Sequence, residues 1–325
     1  MNNQGGKLNN EKMASNIYVE NHHLTDDEID LHEIFSVIWQ GRWIIIIIVS
    51  LFSIASVIYA MKQPNIYKSE ALLAPAEQEQ AGGLGALAGQ FGGLASLAGV
   101  NLGSNGSVDK TQMAIEVLKS RQFTSDFIQK HNILADLMAV KAWDMKTNEI
   151  IYDEEIFEAK RNKWLREVEA PFKPKPSMQE AYKVFEKIIN IKKDNETGMV
   201  SLSIEHFSPI IAQQWVNWLI TDINQTMKER DVIEATKSTN FLAQQLEQTK
   251  IADIRTVLYK LVEEQTKTIM FANVRAEYIF KTIDPALVPE EKFKPQRALI
   301  VLISTFFAGV LSVFFILIKF YIVRK

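Results

Sequence analysis

The sequence predicts an α+β chain in which two transmembrane helices flank a single large loop. The loop carries a membrane-proximal α/β base and a long protruding helical hairpin. Three observations predict this. Two runs, 19 residues at 43–61 and 21 residues at 298–318, contain no charged side chain. Strand-like segments lie just inside each run. Between them is a stretch without proline from Ile210 to Asp284 and without glycine from Met199 to Ala308.

The first run, bounded by Arg42 and Lys62, reaches roughly 28 Å as a helix, close to the ~30 Å hydrocarbon core of a bilayer. The second, bounded by Arg297 and Lys319, reaches roughly 31 Å. A buried core helix is the alternative, but such a helix seldom needs about twenty uninterrupted apolar residues. A cleavable signal peptide does not fit the first run, because Asp26, Asp27, Glu28, Asp30 and Glu33 stand where basic residues belong. Two spans place residues 1–42 and 319–325 on one side and 62–297 on the other. Charge does not choose the side. Arg42 opposes Lys62 and Lys68, and Lys319, Arg324 and Lys325 oppose Lys292, Lys294 and Arg297. With seven residues after the second run, no kinase or cyclase module is expected there.

Inside the loop, the run YKSEALLA at 67–74 alternates like a strand and meets Pro75. Residues 81–107 hold nine of the fourteen glycines, with the near-repeat GGLGALAG (82–89) and GGLASLAG (92–99). Gly85 and Gly89 have the spacing that permits close helix approach in a membrane, and Gly92 and Gly93 open the second copy. A mobile apolar loop, a segment ordered against a neighbouring subunit or the lipid surface, and a third span are the readings. So much glycine disfavours the last. No phosphate-binding glycine motif occurs. From Asp109 to Asn190 apolar residues recur at helical spacing, with Asp109 and Ser120 as caps and 171–176 as a stiff proline linker. Residues 188–193 and 199–207 flank the turn sequence Asn195-Glu196-Thr197-Gly198 and predict a hairpin. Ser208-Pro209 is a helix start. The helix it opens, to about Gln248, would be roughly 60 Å long. A second helix from about Ile251 to Asn273 would return beside it, and 277–283 reads as a strand able to pair with 67–74. Trp215, Trp218, Leu219, Leu242 and Leu246 are the candidates for packing between helices or between subunits. A lone helical pair buries too little to offset its ordering entropy, so a homo-oligomer is expected.

The chain has no cysteine, which removes thiolate chemistry, and its formal net charge of -3 gives no footprint for nucleic acid. His22, His23 and His32 sit in the tail, and His131 and His206 stand apart. Asp153, Glu154 and Glu155 read as a solvated helix face. No nucleophile or zinc motif is present, so neither catalytic nor metal residues nor a cofactor is assigned.

These pieces resemble the Wzz chain-length regulators, the polysaccharide co-polymerases of Gram-negative bacteria. Ile29-Asp30-Leu31, Trp39, Arg42-Trp43 and the run from Tyr67 to Pro75 look like that family's N-terminal module. Ala272-Asn273-Val274-Arg275 resembles its GNVR signature with alanine for the first glycine, and Arg275 joins the packing candidates. The segment from Asp284 to Arg297, with Pro285, Pro289, Lys294 and Pro295, resembles the proline-rich approach to the second span. As a structure it should be an extended, stiff tether; as a surface it could contact a polymerase. The family's glycine-rich stretch within that span is reduced to Gly309. The resemblance implies an inner-membrane protein with cytoplasmic termini, a periplasmic loop, homo-oligomers whose loops form a bell-shaped cage, and lipid-linked polysaccharide and membrane lipid as partners. It implies a non-enzymatic role, setting the length of lipopolysaccharide O antigen beside a separate O-antigen polymerase. The short C-terminal tail favours the kinase-free branch. The competing expectation is an adaptor for capsule or exopolysaccharide export beside a separate tyrosine kinase.

Overall fold

Strand β1, Tyr67–Pro75, lies between two partners and organises everything around it. The structure is a computed structural model describing residues 31–76 and 110–323. It divides into two compact units, residues 58–300 and the remainder at both ends.

In the 58–300 unit, β1 runs antiparallel to β7 (Val200–His206), with Tyr67 opposite His206 and Leu73 opposite Val200. Strand β6 (Ile189–Lys193) forms a hairpin with β7. Asp194 and Gly198 shape its turn: the Asp194 carboxylate accepts the Glu196 N–H at 2.8 Å, and Gly198 takes φ 71°. On the other edge β8 (Phe280–Asp284) pairs with β1 across a bulge between Leu72 and Leu73. The strands expected at the two ends of the loop are therefore neighbours, in a four-stranded antiparallel sheet ordered β6-β7-β1-β8.

Helices α3 (Lys110–Leu118), α4 (Arg121–His131), α5 (Leu134–Met138) and α6 (Met178–Ile188) cover the sheet. Local signals place their ends. Ser120 Oγ accepts the Phe123 N–H at 3.2 Å, and Asn132 closes α4 in the left-handed region. Ser177 and Glu180 form a reciprocal capping box on α6. Helix α7 (Pro209–Gln248) starts at the Ser208 cap and runs 40 residues. Its first half buries Trp215, Leu219 and Ile223 against Leu202, Ile204, Phe127 and Phe185. Each such burial contributes about 1.5–3 kcal/mol. Beyond Ala235 α7 buries nothing fully, and α8 (Ala252–Val274), packed beside it, buries Ala272.

The helical pattern expected from Asp109 to Asn190, apart from the 171–176 linker, does not hold along the whole stretch. Residues 140–164 form two small hairpins, β2 (Val140–Asp144) with β3 (Glu149–Tyr152) and β4 (Phe157–Glu158) with β5 (Lys163–Trp164). Asn148 and Asn162 adopt positive φ at their turns, and Val140, Trp143, Ile150, Ile151 and Tyr152 favour pleated backbone. The run Asp153-Glu154-Glu155 consequently lies in a turn, not on a helix face, and Asp153 Oδ1 accepts the Glu155 N–H at 3.1 Å. The 171–176 segment is irregular, and Arg166 pins it by donating to Pro174 O (3.3 Å) and Lys173 O (2.8 Å).

The other unit contains α1 (Leu31–Gln40), most of α2 (Arg42–Lys62) and most of α9 (Arg297–Val323). Helices α2 and α9 are each long and apolar enough to cross a membrane. Large apolar side chains such as Trp43 and Phe306, 66% and 65% exposed, face outward, while Ser56, Ala308 and Ser312 are buried. That inversion of the soluble pattern suits lipid outside and small residues inside. At the α1–α2 turn, a Cβ on Gly41 would stand 2.5 Å from Ile316 Cδ1, so glycine permits a close approach to α9. Gly309 has no such neighbour.

Candidate functional site: the tether and the helical pair

The segment between β8 and α9 is held along β1. The Ala286 carbonyl, on a buried residue, accepts Gln213 Nε2 at 2.9 Å. The Leu287 carbonyl accepts Ser69 Oγ at 2.7 Å. Ile66 and Lys294 exchange backbone hydrogen bonds of 2.9 and 3.1 Å, and Lys294 Nζ meets Glu205 Oε2 at 2.6 Å. Lys68 and Lys294 both lie over the Phe293 ring. Pro289 and Pro295 are half-buried and Pro285 is exposed. Prolines lack the N–H that an edge strand would offer, which suits them to this position. The segment expected as an extended, stiff tether is also held by side chains of β1, β7 and α7.

Three polar residues on α7 join it to its surroundings, and sequence reading had singled out none of them. Asn224 is buried and bonds both ways with the chain entering β8. Asp222, also buried, takes Lys130 Nζ at 2.6 Å and His131 Nε2 at 2.8 Å. Asp231 receives Lys110 Nζ and the Tyr278 hydroxyl, each at 2.6 Å. Burial first, and then the hydrogen bond to Asp231, push the Tyr278 hydroxyl well above its ordinary pKa. The signal that could have found them is a polar residue inside an apolar helical stripe, here Asp222-Ile223-Asn224 between Ile220 and Met227.

The packing candidates divide. Trp215 and Leu219 are fully buried in the protomer's own core, and among the described residues Trp215 Nε1 has no hydrogen-bond partner. Trp218 is half-buried and stacks on His131 with centroids 4.1 Å apart. His131, read as standing alone, thus bridges Asp222 and Trp218. His206, also read as isolated, is buried against Trp215. It accepts the Ser208 N–H at Nδ1 and contacts Asp136 O from Nε2, both at 3.0 Å. Burial lowers its pKa. Leu242 and Leu246 are half-buried where α7 and α8 pack, and Arg275 lies 4.9 Å over Phe271. The helical pair also displays Phe241, Ile254, Met270 and Val274, the last 77% exposed. Gly85, Gly89, Gly92, Gly93, His22 and His23 lie outside the described residues.

The described residues hold no group of three His, Asp or Glu that could bind a metal ion. The described residues thus present a four-stranded sheet with a tether pinned along it, a long helical pair, and two helices long and apolar enough to cross a membrane. Residues 27–131 match the family model described as Wzz, chain length determinant protein. Residues 241–321 match the GNVR model, "G-rich domain on putative tyrosine kinase". Residues 27–131 thus carry a segment similar to the Wzz chain length determinant domain. No curated protein matches. Among solved structures, a full-length bacterial polysaccharide co-polymerase is similar at 12% identity, covering 92% of this chain and 99% of its own, with a TM-score of 0.37. A fragment of WzzB, a polysaccharide co-polymerase from Salmonella Typhimurium, is similar at 12% identity over 71% of this chain and 100% of its own, with a TM-score of 0.27.

Proposed function

We propose that this protein regulates the chain length of a surface polysaccharide as a two-pass co-polymerase of the inner membrane. The observation that carries the reading is the chain length determinant match over 27–131, which includes the whole of the first of two membrane-length helices. In this reading residues 62–297 lie in the periplasm, with 1–42 and 319–325 in the cytoplasm. Copies associate through the apolar faces of α7 and α8, supplying the burial that one helical pair lacks. The assembly holds lipid-linked polysaccharide near a separate polymerase, with O antigen as the polymer, and catalyses nothing itself. Deleting the protein should broaden the polysaccharide ladder without stopping sugar addition. An unchanged modal length refutes the reading.

A second reading has its own support. The GNVR description names a tyrosine kinase, which favours an adaptor in capsule or exopolysaccharide assembly beside a separate kinase. Under that reading the deletion lowers exopolysaccharide yield and leaves the O-antigen ladder unaltered.

A further inference from the structure

Helix α2 ends at Lys62, and the last carbonyls of a helix have no partner within it. Here they have one from the other end of the chain. Arg297, the first residue of α9, donates from Nε to Ala60 O at 3.0 Å. Its Nη2 donates to Gln63 O at 3.2 Å and to Asn65 Oδ1 at 3.0 Å. A cation at a helix C-terminus is favoured by the helix dipole. The planar guanidinium can serve three acceptors in fixed directions, which a lysine ammonium on its flexible stem cannot reproduce. One residue further along, Ile66 and Lys294 exchange backbone hydrogen bonds. The strand that follows α2 and the tether that precedes α9 are therefore joined twice within a few residues, once by side chain and once by backbone.

We propose that Arg297 is a positioning residue that locks the end of α2 to the start of α9, and that this fixed separation helps set polysaccharide length. The second half rests on the chain-length reading above. Residues 62–297 connect to the lipid through these two helix ends. A membrane-embedded partner therefore meets an outline that the clamp holds constant. Loosening it lets the two ends part while the sheet, whose pairing does not depend on Arg297, stays folded.

The full chain in its native membrane tests both halves. Because the protein has no cysteine, Ile66→Cys with Lys294→Cys is a clean crosslinking probe. Hydrogen-bonded antiparallel pairs have Cα atoms about 5.5 Å apart, within disulfide range. The pair should crosslink under mild oxidation with Arg297 present. It should lose most of that product with Arg297→Ala and part of it with Arg297→Lys. Without the cysteines, Arg297→Ala should shift modal polysaccharide length at unchanged protein level, and Arg297→Lys should shift it less. If Arg297→Ala fails to accumulate, Asn65→Ala and Arg297→Lys decide by the same two measurements. Undiminished crosslinking overturns the clamp. Diminished crosslinking with unchanged length overturns its role in length control. A deletion strain with unaltered length overturns the functional reading, and crosslinking then judges the clamp by itself.

Discussion

Asn224 and Phe280 hold each other as two paired strands would: Asn224 Oδ1 accepts the Phe280 N–H at 2.9 Å, and Asn224 Nδ2 donates to Phe280 O at 3.1 Å. The same oxygen takes the Ile279 N–H at 2.8 Å. One buried amide thus supplies the ladder that the outer edge of β8 lacks and seals that edge against α7.

Asn224→Leu leaves two buried N–H groups and a carbonyl unsatisfied, and should cost roughly 2–4 kcal/mol. Asn224→Asp keeps the acceptor and should cost less. Chemical unfolding of the detergent-solubilised chain, followed by tryptophan fluorescence, measures both. Equal stability of Asn224→Leu and the parent would show that the edge does not need the seal.

His206 predicts a pH dependence whose sign follows from burial. Its native pKa lies below the ordinary 6.5 because burial disfavours the charged ring. Above 6.5 both folded and unfolded states are neutral, and the stability is whole. Below it the unfolded chain takes up a proton that the native ring resists. Stability therefore falls with pH from 6.5 down to the native value. His206→Gln should flatten the unfolding midpoint between about pH 7 and 5. A slope that survives the substitution would assign it to another group.

Arg166 ties α6 to the 169–176 segment, bonding Glu180 at 2.7 Å as well as two carbonyls of that loop. Its guanidinium holds the Glu180 carboxyl below its ordinary pKa. Arg166→Ala should expose the loop to limited proteolysis between 169 and 177 while the sheet stays protected. Cleavage no faster than in the parent would make proline stiffness the sufficient cause.

Gly41 and Ile316 form a complementary pair. Gly41→Leu should push α1–α2 and α9 apart and reduce disulfide crosslinking of cysteines placed between α2 and α9. Adding Ile316→Ala should restore most of it, since the clash is with that side chain. Failure of the second change to rescue would place the strain elsewhere.

The elements readable from sequence are those announced by unbroken local pattern. The apolar runs, the Ser208-Pro209 start, the Asn195–Gly198 turn and the alternation after Tyr67 each bear their signal within a few residues. The hairpins of 140–164 were misread because Val140, Trp143, Ile150 and Ile151 fit helical spacing and strand alternation about equally over so short a stretch. Asn148 and Asn162 at positive φ break the tie. The tether was legible as extended, but Gln213, Ser69 and Glu205, which hold it, lie far from it in sequence and belong to other elements.

By itself the sequence determined the long-range plan: two lipid-suited helices, strands close to each, and a long uninterrupted helix between. Those outcomes follow from hydrophobicity and backbone preference, which act on neighbouring residues. Tertiary structure decided the seams: Asn224 on β8, Asp222 beneath Lys130 and His131, and Arg297 on the end of α2. A polar side chain looks the same in a string of letters whether it faces water or closes a buried junction. Its role is set by whichever unpaired carbonyl or N–H the folded chain brings to it.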